Sequence, residues 1–485
     1  MSEVYRYVKI VNDEEGKPIE IKICETFVSF REIKDQSAQG LAEEIITSLK
    51  EKNLDLTKCR GQGYDGAAVM SGVYNGVQQR IKEKATHAYF VHCAAHNLNL
   101  VLKDAVEENR VVSQFFETIQ SVYCFFGNSI VCWQDLKSVY CIEAQPDSLN
   151  SKSKVTLRTL NPTRWSGRHD AVYALKHRFC DVMKSLTRIT LSSKKSKERN
   201  EAQQLKNKLE SFDFVLLLVV QCEVLETLNL VSKSLQSETM DLLSAYELLG
   251  NALLKITEMR ERCEALVSEA SDVCSRWGIK NEFHQNRVRK VKKHFDELCE
   301  DERLADPTTC FRVTVFYPMV DTLCTQLHRR FEGMKAVLDS YEVIQPDFLA
   351  SASERDIHKK AVDFVNKFAD DVTPAFPSQL CSVKKLFQKQ LEKMKSVKEF
   401  ADFLIVEHSS LSSSYPDVCT ACIMYLTVPV TVSKAERSFS KLKLIKNYLR
   451  STMAQERLSS LALLSIENDR AQQINFDKVM MNSLL

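Results

Sequence analysis

A carboxylate lies among glycines in the segment 61–72 (GQGYDGAAVMSG). Asp65 follows a predicted short strand and stands between Gly63 and Gly66, where the backbone is unhindered. Mg²⁺ and Mn²⁺ prefer carboxylate oxygens that a rigid sheet fixes at strand ends, so Asp65 is a candidate metal ligand. The alternative is an ordinary Asp-Gly turn. The segment is not a P-loop, because it lacks Gly-Lys followed by Ser or Thr.

A second group of reactive side chains lies in the segment 92–100 (HCAAHNLNL). Cys93 and His96 are separated by two residues, a spacing that can place both on one face of a helix start. With His92 they supply three ligands, fewer than the four of a structural zinc site. The alternative is a buried thiol beside a hydrogen-bonding histidine.

A tryptophan between two arginines lies in the segment 162–168 (PTRWSGR). Arg164, Trp165 and Arg168 resemble a platform on which an unpaired base stacks while its phosphate is held. The alternative is a tryptophan that anchors the first helix of the following block.

The segment 428–449 (VPVTVSKAERSFSKLKLIKNYL) contains a second carboxylate, Glu436. Pro429 predicts an entry turn, and Ser433 followed by Glu436 predicts a capping box at the start of a helix. An apolar stripe after it indicates a face that packs against a core or a partner. The stripe consists of Phe439, Leu442, Ile445 and Leu449.

Alternating residues at the start of the chain predict an antiparallel hairpin, with one run over 4–11 and a second over 19–30. Helical spacing predicts a helix over 38–52. A short strand is expected immediately before the glycines of 61–72, and a second over 89–93. From 168 to about 400 the pattern is almost wholly helical. Further helices are predicted over 418–428, 435–449 and 455–467.

The composition limits the class of protein. Twelve glycines and ten prolines in 485 residues disfavour turn-rich propellers and sandwiches and favour long helices. The net charge of +2 gives no overall attraction to nucleic acid, so DNA binding requires a local patch. The densest basic run is 287–294 (RVRKVKKH), whose alternative role is a solvated helix face.

Cysteines and targeting signals indicate the compartment. Sixteen cysteines scattered along the chain are typical of buried thiols in a reducing compartment. The first residues have acids where a signal peptide needs basic and then apolar residues. The apolar run 212–222 is about half the length of a bilayer span. We therefore expect a soluble, intracellular protein with no membrane partner.

The order of these motifs is more specific than any one of them. GYDGA, then HCAAHNLNL, then TRW, a helical block and SKAERSFSKLKLIK together resemble the hAT superfamily of DNA transposases and the host proteins derived from them. The likeness covers nearly the whole chain. It is strongest to the group of zinc-finger MYM-type protein 1 and TTF-type zinc-finger proteins.

The resemblance implies a mostly helical α/β fold, in which an RNase H-like domain is interrupted by a large all-α insertion. It implies an RNase H-like part over 1–167, the insertion over 168–400 and a C-terminal part with dimerisation helices over 401–485. Asp65 and Glu436 match two acids of the family's DDE triad. Cys93 and His96 match its C-x-x-H motif, and Arg164 and Trp165 match the motif whose tryptophan handles a flipped base. The implied dimerisation residues are Phe439, Leu442, Ile445, Leu449, Leu461 and Leu464.

One feature departs from the family pattern. The first acid of the triad lies upstream of the hairpin in this superfamily, and the present sequence begins at the hairpin. We therefore expect an incomplete RNase H-like domain without catalytic activity and without a cofactor, acting by self-association, with DNA as a further partner and a nuclear location. One alternative is an active DNA-nicking transposase that uses Mg²⁺ or Mn²⁺ at Asp65 and Glu436. The other is a DNA-binding transcriptional cofactor that uses 287–294.

Overall fold

The structure is a computed structural model that describes residues 1–142, 155–160, 165–237, 239–283, 306–447 and 452–474. Its contacts divide the chain into two compact units. The first unit comprises Met1–Asn97, Lys233–Leu248 and Phe331–Leu485, and the second comprises Leu98–Ser232 and Leu249–Arg330. All three predicted domains contribute to the first unit, and the three-domain division itself stays a prediction.

Within the described residues, the strands form two small sheets of the first unit. They are β1 (Ser2–Asn12), β2 (Pro18–Phe30), β3 (Gly61–Tyr64) and β4 (Tyr89–His92). β1 and β2 pair antiparallel, and β3 and β4 pair parallel.

The predicted hairpin is confirmed by the pairing of β1 with β2. The Asp13 carboxylate closes its turn by accepting the N–H groups of Glu15 and Lys17 at 3.0 and 2.8 Å. Gly16 has a φ of +83°, a conformation that L side chains rarely adopt. Alternation along β2 buries Ile21 and Phe27.

A buried ion pair fastens the hairpin to neighbouring segments. Arg6 donates to the Glu25 carboxylate at 2.9 Å, and each side chain is only 7% exposed. The same guanidinium donates to the carbonyl oxygens of Leu426 and Met240, at 3.2 and 2.9 Å. β1 is thereby joined to two segments that are remote in sequence.

The prediction of a strand immediately before the glycines is wrong in position. Leu56–Lys58 is a 3₁₀ turn, and β3 begins at Gly61, so two glycines lie inside the strand. A Cβ on Gly61 would overlap the Cδ of Pro429, and one on Gly63 would lie 3.3 Å from the same proline ring. The strand therefore contains glycine because another part of the chain packs directly on its backbone.

Helices make up most of the described residues. They are α1 (Ala38–Glu51), α2 (Ala68–Ser71), α3 (Val77–Lys84), α4 (Ala94–Glu108), α5 (Arg110–Gly127), α6 (Ile130–Ile142), α7 (Trp165–Ser192), α8 (Ser196–Leu209), α9 (Phe212–Leu235), α10 (Leu242–Glu261), α11 (Cys263–Trp277), α12 (Pro307–Phe311), α13 (Tyr317–Ser340), α14 (Pro346–Ser351), α15 (Glu354–Lys367), α16 (Phe376–Leu391), α17 (Val397–Asp402), α18 (Ser409–Ser414), α19 (Pro416–Thr427), α20 (Ser433–Ile445), α21 (Gln455–Ile466) and α22 (Asn468–Ala471). Turns of π-helix follow α12 and α17, at Arg312–Phe316 and Phe403–Glu407. The mostly helical α/β class is confirmed.

The apolar run 212–222 is the first half of a longer helix, α9, most of which lies in the second unit. By length and composition, α9 could cross a bilayer. Yet 83% of its most apolar window is buried inside the protein. A helix that is apolar all round and packed on all sides is typical of the core of a large helical body.

Candidate functional site

Asp65 lies at the carboxyl end of β3, as predicted. It follows Tyr64, the last residue of the strand, and its side chain is exposed. Its carboxylate accepts the N–H of Ala67 at 3.3 Å, which closes an Asx turn before α2. Asp65 therefore matches both sequence interpretations: it follows the end of a strand, and it forms an Asp-Gly turn.

The His-Cys segment lies beside Asp65, because β4 runs parallel to β3. Tyr64 is in register with His92, and the N–H of Cys93 donates to the Tyr64 carbonyl at 3.1 Å. A Cβ on Gly66 would lie 2.7 Å from Nε2 of His92 and 3.2 Å from Cδ2 of His96. The turn that carries Asp65 therefore rests on both histidines, and this close approach requires glycine.

Glu436 reaches the same place from the start of α20. Its Oε1 lies 3.8 Å from the sulfur of Cys93, and the N–H of Val432 donates to that sulfur at 3.3 Å. Burial, and then the charge of Glu436, raise the pKa of Cys93 to about 12. At neutral pH the thiol is therefore protonated and donates to the carboxylate. The structure brings Cys93, His96 and Glu436 to the end of the strand pair that carries Asp65.

The predicted capping box at Ser433 is wrong. Val432 is the N-cap of α20, and no side chain caps the helix. Ser433 is already the first helical residue, and its hydroxyl accepts from Thr431 at 3.2 Å. Because the N–H of Val432 is used by Cys93, the chain enters the helix one residue early. The Glu436 side chain therefore faces the thiol, and the predicted Ser433 cap does not form.

The described residues do not fit a two-metal centre. Nowhere among them do three or more His, Cys, Asp or Glu side chains come together in a way that could hold a metal ion. Asp65 and Glu436 are only two carboxylates, and the Cys93 thiol beside Glu436 is protonated. This set of donors does not support a metal-dependent step.

The predicted base-stacking group is only partly described. Arg164 lies outside the described residues, and Trp165 is the first residue of α7. Arg168 lies over the ring of Phe116, with 5.5 Å between its Cζ and the ring centroid. Burial lowers the pKa of this guanidinium. Within the described residues, its buried Nη1 has no hydrogen-bond partner.

The predicted dimerisation residues divide into two groups. Leu442 and Ile445 pack inside the chain, against the cluster of Phe27, Phe30 and Ala462. Phe439 and Leu464 are 48% and 50% exposed. Leu461 is half-buried, and Leu449 lies outside the described residues.

Two further leucines on these helices are exposed and were missed by the stripe prediction. Leu444 on α20 is 71% exposed, and Leu463 on α21 is 40% exposed. Each is adjacent in sequence to a residue that helical spacing assigns to the buried side. In the sequence, both could have been recognised as large apolar residues that fall outside the buried stripe of their helix.

Glu467 fastens this helical pair to the hairpin, which the sequence did not predict. Its carboxylate accepts the N–H of Phe27 at 2.8 Å and lies 3.0 Å from the Lys434 ammonium. Lys434 also donates to the carbonyl of Glu25. The Lys434 and Glu467 side chains are 13% and 10% exposed, so α20, α21 and β2 share one shielded ion pair.

Comparison with known proteins identifies two matched regions and two curated relatives. Residues 4–76 match the ZMYM1/FAM200 RNase-like domain, and residues 383–469 match the hAT family C-terminal dimerisation region. The 52 kDa repressor of the inhibitor of the protein kinase from Mus musculus is 24% identical over 455 residues, and its Homo sapiens counterpart is 24% identical over 451. Each alignment covers 92% of this chain and 58% of the relative.

The chain thus spans about 58% of the length of the curated relatives it matches. The two matched regions contain the hairpin, the Asp65 turn and the exposed C-terminal leucines. The resemblance to the hAT superfamily is confirmed: the chain combines a ZMYM1/FAM200-type RNase-like domain with a hAT family C-terminal dimerisation region.

Proposed function

We propose that this hAT-like protein works without catalysis, by self-association through its C-terminal helices. The observation that carries the proposal is the set of apolar side chains exposed on α20 and α21, inside the matched dimerisation region. We call them the C-terminal apolar residues. They are Phe439, Leu444, Leu463 and Leu464.

The packing of α20 and α21 on the hairpin favours this role. Leu442 and Ile445 of α20 pack on the hairpin core, and the ring of Phe439 lies 5.7 Å from that of Phe30 in the same core. The Lys434–Glu467 ion pair joins the two helices to β2. The helices that carry the exposed side chains are therefore held in place, which reduces the conformational entropy lost on association. Large apolar side chains left in water on a fixed surface are typical of a protein interface.

Self-association is tested by replacing Leu444 and Leu464 with serine. Each side chain contributes about 1.5–3 kcal/mol when fully buried, so the double variant is expected to raise the dimer dissociation constant by about a hundredfold or more. Sedimentation equilibrium of the purified chain at micromolar concentration measures this. Ile19→Ser is the matched control, because Ile19 is 54% exposed in the same unit but lies at the hairpin turn. A monomeric wild type contradicts the proposal, as does an equal shift in the control.

The absence of DNA cleavage is tested separately. Supercoiled plasmid incubated with the wild-type chain and Mg²⁺ or Mn²⁺ is expected to be nicked no faster than with Glu436→Gln. The reason is that two-metal strand chemistry needs more ligands than Asp65 and Glu436 supply. Metal-dependent nicking that Glu436→Gln abolishes supports the transposase alternative instead, whatever the oligomeric state is.

DNA binding and a nuclear location stay proposals carried over from the resemblance. The relatives are named as repressors, which is consistent with a regulatory role. The basic run 287–294 lies outside the described residues, so it is tested in solution. If it binds DNA, charge reversal at Arg289, Lys292 and Lys293 will reduce the salt dependence of binding.

A further inference from the structure

Three aliphatic side chains are almost fully exposed on the second unit. Ile130 and Val131 at the start of α6 are 79% and 73% exposed, and Leu191 at the end of α7 is 82% exposed. Single exposed leucines are common on protein surfaces, but adjacent groups of them often mark an interaction site. These three are not part of the matched RNase-like or dimerisation regions.

Contacts between α6 and α7 place the three side chains at the same end of this helix pair. The Asp135 carboxylate accepts from the Ser185 hydroxyl at 2.6 Å and from Arg188 at 3.1 Å. Ile130 and Val131 precede Asp135 by about one turn, and Leu191 follows Arg188 by about one turn. The start of α6 therefore lies beside the end of α7.

The surroundings of these residues are strongly basic. Five basic residues and one acidic residue lie between positions 188 and 199. Two of the nearby acids are engaged: Asp135 by Ser185 and Arg188, and Glu198 by the hydroxyl of Ser193 and by Lys195 at 2.7 Å. Lys194 and Lys197 are exposed. These residues form an apolar centre with positive charges around it, and we call this surface the α6–α7 patch. It consists of Ile130, Val131, Leu191, Arg188, Lys194, Lys195 and Lys197.

We propose that the α6–α7 patch docks an acidic amphipathic helix of a partner protein. Leucines on one face of such a helix would cover the three aliphatic side chains, and its flanking carboxylates would meet the lysines. Duplex DNA would satisfy the lysines but would leave the aliphatic side chains in water. Ion pairs with Asp135 and Glu198 hold Arg188 and Lys195 in place. Charges fixed in this way favour directional ion pairs with a protein over binding to a fluid lipid surface.

The test uses the full chain and a short fluorescent peptide with leucines at helical spacing and glutamates between them. Fluorescence anisotropy is expected to show binding that weakens as salt is added. Replacing Ile130, Val131 and Leu191 together with serine is expected to weaken binding by about tenfold or more. Reversing the charges of Lys194, Lys195 and Lys197 is expected to have a similar effect.

Controls separate this proposal from nonspecific attraction and from misfolding. The variant Leu230→Ser with Leu254→Ser removes two leucines that are 65% and 62% exposed on the same unit, and it should bind like wild type. A peptide with serines in place of leucines should bind weakly. Equal binding of the two peptides overturns the proposal, as does an unchanged affinity of the triple serine variant. Patch-dependent binding of duplex DNA or phosphatidylserine vesicles without peptide binding also overturns it. Circular dichroism confirms that each variant is folded.

Discussion

Replacing Gly61 with alanine is expected to lower the free energy of unfolding by about 2–3 kcal/mol, at the upper end of what overpacking costs. The added Cβ would overlap the Cδ of Pro429 and lie 3.2 Å from the backbone Cα of Val428. A proline ring and a main chain cannot rotate out of the way, so β3 must move from its place. Urea denaturation followed by circular dichroism measures the loss.

Gly333→Ala is the matched control for this variant. Gly333 lies in α13 in the same unit, and a Cβ there would meet nothing within 4 Å. Alanine in an open helical position is expected to stabilise the protein by about 0.5–1 kcal/mol. The two glycine variants should therefore shift stability in opposite directions. If Gly61→Ala is neutral or stabilising, β3 does not pack on Pro429 as described.

Removal of the Glu25 carboxylate is expected to cost about 3–5 kcal/mol in unfolding free energy, because it leaves the Arg6 cation buried beside two carbonyl groups without its counter-charge. The variant Glu25→Ala isolates this effect. Chemical denaturation monitored by intrinsic fluorescence provides the comparison with wild type.

Glu51→Ala serves as the control for a solvent-exposed ion pair. Glu51 pairs with Arg31 at 2.6 Å, but its side chain is 55% exposed, and such pairs contribute about 0–1 kcal/mol. The double variant Arg6→Met with Glu25→Leu should recover part of the loss, because it removes both buried charges. A Glu25→Ala variant no less stable than Glu51→Ala would show that the Arg6 charge is not shielded from water.

Local patterns predicted the hairpin and the start of α1, because their causes lie within a few residues. The alternation of β2 follows from which side chains meet the core, and Ser37 caps α1 by accepting the N–H of Gly40. Asp65 was found because a glycine cluster is unusual in a glycine-poor chain. In each case the residues that determine the structure are neighbours in the sequence.

Errors arose where distant segments decide the local structure. The position of β3 depends on Pro429, and the entry to α20 depends on Cys93, whose sulfur takes the N–H of Val432. The Ser433 pattern is a valid capping signal, but a contact across more than three hundred residues replaces it. The residues next to Ser433 in the sequence give no indication of the contact between Val432 and Cys93.

The apolar stripe of α20 shows a different limit of sequence reasoning. Its period correctly identified Leu442 and Ile445 as residues that must be covered. It could not say whether a second copy or the chain itself covers them. The structure shows that Phe27 and Phe30 of the hairpin do so, which leaves the off-stripe Leu444 exposed.

Glu467 has a thermodynamic consequence for assembly. Since its carboxylate holds both the N–H of Phe27 and the ammonium of Lys434, α21 cannot leave β2 without exposing a strand N–H and a shielded lysine. Any second copy that binds α21 therefore also opposes unfolding of the hairpin. If the chain self-associates through α21 as proposed, folding and assembly are linked through one carboxylate, and the melting temperature of the RNase-like region should rise with protein concentration.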